Sequence, residues 1–300
     1  MGLFLNVVLP IIIIFSLGYA LQRFNPVDIS SVATVSIYIF LPSLVFTSLY
    51  ESEIGLDFAY ISLFFLTLFI CIIGIVKYCA YIFKWNKSIE SGSILSTAFM
   101  NGGNYALPVI MFSLGEEAMP FAIFCFVVSS IFMSLFGVYF ASRSKEGMLK
   151  ALKTVFKMPT TYAALLAYLA QIVPLNIPET IFSMIALVGN AAIPTMMVLL
   201  GAQLSTITLK NIEWKTISLL SFIRMIVSPT LAVAIIWLLK IEGILAYVLL
   251  IIASMPSSIT MTMFSIEFDA KPRLVSSVTL VTTIISFVTL TILLNLLNLV

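Results

Sequence analysis

The sequence predicts an all-α polytopic membrane protein of ten transmembrane helices, in two inverted five-helix repeats with crossed, broken helices four and nine. Three observations predict this fold class: an apolar composition, ten apolar windows of span length, and prolines that recur at nearly one offset. Of the 300 residues, 61% are hydrophobic and 9% are charged, and the mean hydropathy is +1.17. Soluble domains carry about 25% charged residues, so this composition excludes a soluble fold.

Each window holds about twenty predominantly apolar residues, enough for one helix to cross a bilayer. The first window has no basic region before it and no small-residue cleavage site after it, so we expect a retained span and not a signal peptide. The ten windows cover residues 4–22, 30–50, 58–83, 93–115, 118–142, 159–174, 179–202, 214–239, 243–265 and 273–298.

The basic residues predict the orientation. If the N-terminus lies outside, the inner loops contain twelve of the fifteen basic residues. Cytoplasmic loops carry an excess of lysine and arginine, so we expect the cell membrane as the location, with both termini outside. The twelve residues are Arg23, Lys84, Lys87, Arg143, Lys145, Lys150, Lys153, Lys157, Lys210, Lys215, Lys271 and Arg273.

Five residues of the first half have counterparts of the same type in the second half, in the same order. The pairs are Pro10 and Pro159, Tyr19 and Tyr168, and Gln22 and Gln171 at an offset of 149, Pro42 and Pro194 at 152, and Pro108 and Pro256 at 148. A nearly constant offset indicates duplication, and because five spans is an odd number, the second copy is inverted. The predicted repeats are residues 1–142 and 159–300.

A basic cytoplasmic linker, residues 143–158, joins the repeats. Apolar residues recur in it at helical spacing opposite lysines, as in a short helix on the inner leaflet. A solvated linker explains the same charges by the positive-inside rule. Neither alternative predicts a nucleic-acid site.

The fourth window is interrupted by Asn101, Gly102, Gly103 and Asn104, and then by Pro108. These residues lower helix propensity and remove a backbone donor, so some backbone groups lose their intrahelical partners. Hydrocarbon cannot satisfy those groups, and the break must therefore face protein or a watery cavity. A half-helix N-terminus, free carbonyls and two amide side chains there predict a solute site.

The matching ninth window contains Pro256, followed by Ser257, Ser258 and Thr260. If both windows break at their prolines and cross, helix N-termini, amides and hydroxyls meet at mid-membrane, where they can replace the hydration of a carboxylate. The alternative is that Pro256 only kinks the helix and that the hydroxyls bond to carbonyls of their own helix.

Other polar residues in the windows allow several interpretations. A charge at the centre of a span costs about 2.5–3.5 kcal/mol on insertion scales, so Arg224 needs an explanation. It is a counter-charge for an anionic substrate, a strut bonded to carbonyls that a broken helix leaves free, or a residue that snorkels to the inner face. Lys77 is expected to snorkel. Pro42 and Pro194 predict bends in the second and seventh windows. Asn190 and Gln203 are weaker candidates for the lining of a cavity.

Composition also disfavours an enzyme. The chain has no histidine, which excludes an imidazole base and histidine ligands for zinc or haem. Asp28, Asp57 and Asp269 lie at the ends of windows and not at their centres. The three cysteines lie in apolar segments and are expected to be small buried residues. We expect no catalytic residues, no metal and no cofactor.

Three motifs give the chain a family resemblance: NGGNYALPV in the fourth window, LPSLVF in the second, and MPSSITMTMFSIEFDA before a hydroxyl-rich last window. Together they resemble the auxin efflux carrier family, whose bacterial members look like permeases for malate, malonate and similar anions. The resemblance implies ten spans in inverted repeats that cross at prolines, as in the bile-acid transporter fold. It assigns the crossing to Asn101, Asn104, Pro108 and Pro256. Where the family often has an asparagine after the second proline, this chain has serines and a threonine.

The functional hypothesis is a secondary transporter of small organic anions, carboxylates such as malate, malonate or auxin-like acids, that works by alternating access. The alternative is an intramembrane binding or sensor protein that keeps a transporter fold without transport. A serine–lysine enzyme that uses Lys77 is a third, weaker hypothesis. The expected partners are a small organic anion and the lipid bilayer, with no nucleic acid, and a homodimer stays open beside a monomer.

Overall fold

A computed structural model describes residues 7–52, 57–142, 156–173, 177–207 and 213–297. Within these ranges all regular secondary structure is helical, apart from an isolated antiparallel bridge between Met100 and Ser257. The all-helical fold class is confirmed for this part of the chain. Of the predicted linker only residues 156–158 lie in the described ranges, so both interpretations of it stay predictions.

The helical segments are numbered α1 to α12 in chain order. In the first half they are α1 (Leu9–Phe24), α2 (Ile29–Tyr50), α3 (Asp57–Ile82), α4 (Lys87–Ala98), α5 (Leu107–Leu114) and α6 (Glu116–Ser142). In the second half they are α7 (Pro159–Ile172), α8 (Glu179–Ser205), α9 (Trp214–Leu238), α10 (Gly243–Ala253), α11 (Ile259–Glu267) and α12 (Pro272–Leu296).

Six helices of the described residues are long and apolar enough to cross a membrane: α2, α3, α6, α8, α9 and α12. The first and sixth windows contain shorter helices, α1 with 16 residues and α7 with 14. The fourth and ninth windows each contain two short helices, α4 with α5 and α10 with α11, because each is broken near its middle. Every predicted window is thus helical, whereas the ten-span count and the inverted repeat stay predictions.

Helix starts follow capping chemistry. Asp28 precedes α2 and accepts from the backbone N–H of Ser30 at 3.1 Å, and Asn86 precedes α4 and accepts from that of Ile89 at 2.9 Å. Such side chains satisfy donors that a helix N-terminus leaves free. The hydroxyl of Ser31 and the N–H of Ser30 both donate to the Asp28 carboxylate and lower its pKa below the usual value, since hydrogen bonds favour the charged form.

Several turns of these helices are π-helical, with wider spacing than an α-helix. Three such turns each end two residues before a proline, namely Ser36–Phe40 before Pro42, Gly102–Ala106 before Pro108, and Ile223–Val227 before Pro229. A proline lacks the N–H that closes the preceding turn, and its ring would clash with the carbonyl four residues earlier. A wider turn removes that clash. At Pro42, where the sequence predicted a bend, the helix thus contains a wider π-helical turn.

The bend predicted near Pro194 lies at Ala191, which separates the two halves of α8, Glu179–Asn190 and Ala192–Ser205. The second half of α8 lies directly against α1. A Cβ atom on Gly18 of α1 would lie 2.0 Å from the carbonyl oxygen of Val198, and one on Gly201 of α8 would lie 2.0 Å from that of Phe15. The two helices therefore touch through their backbones.

Candidate functional site

The two broken windows meet at their breaks. Backbone residues after α4 and before α11 are extended, and Met100 pairs with Ser257 in the antiparallel bridge. The N–H of Asn101 donates to the carbonyl of Pro256 at 2.9 Å, and the N–H of Ser258 donates to the carbonyl of Phe99 at 3.0 Å. Each break thus satisfies backbone groups of the other, which allows irregular backbone inside an apolar protein.

This crossing gathers four helix ends. The segment that leads into α5 begins at Gly102 and α11 begins at Ile259, and both present N-terminal N–H groups with partial positive charge. The helices α4 and α10 end at Ala98 and Ala253, where C-terminal carbonyls carry partial negative charge. The crossing therefore combines groups that attract anions with groups that attract cations.

Arg224 lies at the negative helix ends. It belongs to the π-helical turn of α9 and has no exposed surface. Its Nη1 donates to the carbonyl of Thr97 at 3.0 Å, and its Nη2 donates to the carbonyl of Ala253, which also accepts from Ser228 Oγ at 3.0 Å. Of the three interpretations of Arg224, this geometry fits the strut bonded to carbonyls of broken helices. Snorkelling is wrong, because the side chain is completely buried.

A cavity of about 220 Å³ adjoins the crossing and the π-helical turn Gly102–Ala106. Its lining also comes from α2, α6, α7, α8 and α11, and no charged residue lies in the lining within the described part of the chain. An engineered apolar cavity of about 150 Å³ holds benzene, so a volume of this size admits a small organic molecule. The polar lining side chains are Ser36, Asn101, Asn104, Ser129, Ser130, Ser134, Thr160, Gln203, Ser258 and Thr260, and the methionines are Met133, Met158, Met196 and Met263.

The predicted site residues divide into two groups. Asn101, Gly102, Gly103, Asn104, Ser258 and Thr260 line the cavity. Pro108, Pro256, Ser257 and Arg224 do not appear in its lining. Both predicted stretches thus contribute to the cavity lining, but the sequence could not tell which residues within them line it, and their role as a site stays a prediction.

The four predicted residues outside the cavity lining make other contacts. Pro108 is buried at the start of α5, and Pro256 supplies a carbonyl to the crossing. Ser257 is fully buried, its N–H donates to Thr282 Oγ1 at 3.2 Å, and its Oγ accepts from Thr279 Oγ1 at 3.3 Å. Ser257 thus joins the crossing to α12 and turns away from the cavity.

Two lining amides have polar atoms that the protein leaves unsatisfied. The side chain of Asn101 is 4% exposed, and its Nδ2 has no hydrogen-bond partner; Gln203 is 8% exposed, and its Oε1 has none. An unsatisfied buried polar group costs about 1–3 kcal/mol. Two residues of the cavity lining therefore each keep one buried polar atom without a partner among the described residues.

Two glycines let the crossing pack closely against α6 and α8. A Cβ atom on Gly103 would lie 2.8 Å from Met196 Cε and from Phe126 Cε2, and one on Gly102 would lie 3.2 Å from Ser129 Oγ. The two glycines let the positive helix end approach the cavity wall more closely than any other residue allows.

Sequence reasoning missed much of the cavity lining. Of the two weaker candidates, Gln203 lines the cavity, whereas Asn190 is exposed on α8 outside it. Lys77 is exposed on α3 and is not a lining residue. Ser134 and the methionines carry no local signal, since they resemble ordinary core residues. Within the described ranges, no group of histidine, cysteine, aspartate or glutamate side chains could hold a metal ion.

A ligand-sized cavity at two broken, crossing helices of an apolar helical protein is characteristic of secondary transporters. Comparison with known proteins agrees with that class. A family model described as "Membrane transport protein" matches residues 3–294, and the chain therefore belongs to this family, the auxin efflux carrier family. It is a family of membrane transporters and not of enzymes, and the protein is accordingly membrane-embedded.

Two relatives are similar over nearly their whole length. A protein of Methanothermobacter thermautotrophicus named "Uncharacterized transporter" is 29% identical over 294 residues, which cover 94% of this chain and 95% of the relative. "Uncharacterized transporter MJ1031" of Methanocaldococcus jannaschii is also 29% identical over 294 residues, with the same coverage of both chains.

Proposed function

We propose that this protein is a secondary transporter of small organic anions, carboxylates such as malate, malonate or auxin-like acids, and that the anion binds in the cavity beside the crossing. The observation that carries the proposal is the unsatisfied Nδ2 of Asn101 at the start of a helix N-terminus. A carboxylate oxygen would accept from this amide, and it would interact favourably with the positive end of the helix dipole.

The cavity chemistry favours an anion over a cation. None of the lining residues that the structure describes is an aspartate or a glutamate, so these residues offer a cation no charged ligand. Serine and threonine hydroxyls such as Ser129, Ser258 and Thr260 donate to carboxylate oxygens, and the lining methionines suit the apolar part of a small organic acid.

Transport requires that the cavity open to each side in turn. We propose ten spans in two inverted five-helix repeats with both termini outside, so that two related conformations exist by symmetry. The anion would move with the crossing, which holds both broken windows together through the hydrogen bonds of Asn101 and Ser258.

The membrane potential can drive such a carrier without a coupled ion. For a monovalent anion that leaves an inside-negative cell, 100 mV supplies about 2.3 kcal/mol, which is a concentration ratio of about fifty. The proposal is therefore potential-driven efflux, whereas uptake would need exchange or a cation gradient.

The test is flux in liposomes that contain the purified protein. Malate, malonate, succinate, lactate, pyruvate and indole-3-acetate are each offered with and without an imposed potential, and with and without a sodium or proton gradient. Potential-dependent flux of one anion without a cation gradient is the expected result. Binding of an anion with no flux, detected as thermal stabilisation, would refute transport and favour the sensor protein.

A further inference from the structure

The guanidinium of Arg224 lies where the two broken windows present free carbonyls. It donates to Thr97, in the last turn of α4, and to Ala253, the last residue of α10. The last four carbonyls of a helix have no intrahelical partner and carry the negative end of the dipole. A single side chain from a third helix therefore donates to one carbonyl at the C-terminal end of each half-helix.

These carbonyls are the type of group that binds coupling ions. In transporters with broken helices, unwound carbonyls and the C-terminal ends of half-helices coordinate sodium or protons. A guanidinium offers five donors and a permanent positive charge to the same acceptors. Because Arg224 is completely buried and comes from α9, its charge is held at these acceptors by the fold.

We propose that Arg224 is a built-in cation that replaces a coupling ion at the crossing. One consequence rests on the proposed function. The anion binds and is transported without sodium, because the positive charge that stabilises the crossing is part of the protein and never dissociates. The inference also makes a prediction that does not depend on the substrate. Removal of the guanidinium creates a site at the carbonyls of Thr97 and Ala253 for a small monovalent cation from solution.

The experiment is thermal unfolding of the full chain in detergent, titrated with sodium, lithium, potassium, methylguanidinium or choline chloride at constant ionic strength. The proteins are the wild type, Arg224→Ala, Arg224→Lys and Arg273→Ala, a control that removes an exposed arginine on α12. For the wild type and for Arg273→Ala, the unfolding temperature is expected not to depend on which cation is present. Arg224→Ala is expected to unfold at a lower temperature, and methylguanidinium or sodium, but not choline, is expected to raise that temperature saturably.

A purely mechanical role for Arg224 predicts a different result. If the side chain only filled space, the loss of stability in Arg224→Ala would not respond to any cation, and that outcome would overturn the proposal. Saturable stabilisation of the wild type by sodium over choline would also overturn it, since the ion site would then be open already. Arg224→Lys keeps a charge and is expected to need no cation.

A second measurement covers the outcome in which Arg224→Ala does not fold. Binding of the anion with the highest affinity in the transport panel is measured to the wild type in sodium and in choline. A coupled ion typically changes affinity by about 5- to 150-fold, so a change below about twofold is expected and a larger one contradicts the inference. If no anion is transported, the proposed function fails, but the cation titrations still decide the role of Arg224.

Discussion

The backbone N–H of Asn101 donates to the carbonyl of Pro256 at 2.9 Å, and the Nδ2 of the same asparagine has no partner in the protein. Asn101 thus holds the crossing together with its main chain, while its side chain, on a residue of the cavity lining, keeps a donor without a partner among the described residues. The backbone bond does not depend on residue type, whereas the side-chain donor does. A substitution at Asn101 can therefore separate the two roles.

Asn101→Ala is expected to weaken anion binding with little loss of stability. A hydrogen bond to a charged group contributes about 1.5–3 kcal/mol, so the dissociation constant should rise about 10- to 150-fold. Stability should stay close to that of the wild type because the amide has no protein partner to lose. Binding is measured by calorimetry on detergent-purified protein, with Asn190→Ala, exposed outside the cavity, as the control. Unchanged affinity in Asn101→Ala would remove the main support for the proposed site.

Asn104 is a second amide of the cavity lining. Asn104→Ala should therefore weaken anion binding as well, which the same calorimetric measurement checks.

Adjacent serines are expected to behave differently. Ser258→Ala removes a hydroxyl from the cavity lining and should weaken anion binding. Ser257→Ala should leave the affinity unchanged and lower the free energy of unfolding by no more than about 1 kcal/mol, because Thr279 also donates to the carbonyl of Val275. Parallel binding and unfolding measurements on both variants check this. A larger binding defect in Ser257→Ala would contradict the orientation that the structure gives these residues.

Gln203 and Gln171 are likewise expected to respond differently to substitution by leucine. Gln203→Leu removes an amide donor for a carboxylate from the cavity lining and should weaken binding. Because it also removes an unsatisfied buried oxygen, it should keep or raise the unfolding temperature. Gln171→Leu should lower the unfolding temperature without a change in affinity, because Gln171 Nε2 donates to the carbonyls of Leu49 and Ser52 at the end of α2. Unfolding followed by tryptophan fluorescence gives the temperatures. The opposite pattern would mean that Gln203 is structural.

Glycine contacts between α1 and α8 should dominate stability in that region. In Gly18→Ala the new Cβ would lie 2.0 Å from the carbonyl oxygen of Val198, so the helices must separate. Such overpacking costs about 1–3 kcal/mol. Gly74→Ala on α3 meets no atom within 4 Å and should stabilise the helix by up to about 1 kcal/mol. Equal unfolding temperatures for the two variants would show that α1 and α8 are not in backbone contact.

Much of the architecture could be predicted from local features. Gly102, Gly103 and Pro108 lower helix propensity, and the break lies just before them, between Ala98 and Gly102. The break at Pro256 was predicted less firmly, because a proline alone is also compatible with a kink. The structure resolves that alternative, since α10 ends at Ala253 and α11 begins at Ile259.

Side-chain orientation could not be predicted in the same way. Ser257 and Ser258 are neighbours of one type, and only the bridge to Met100 decides which of them faces the cavity. The methionines of the lining also look like core residues in the sequence. Their role depends on which helices surround the crossing, and that is a property of the tertiary fold.

Hydropathy, proline geometry and glycine flexibility act over a few residues, and they were therefore enough to predict that the chain lies in a membrane, where its helices run and where two of them break. The hydrogen bonds between the two breaks, and those from Arg224 to one carbonyl at the end of each half-helix, depend on the tertiary fold. Arg224 and Thr97 are 127 residues apart in the chain. No local pattern specifies such a contact, because a buried guanidinium is stable only where the fold brings free carbonyls together around it.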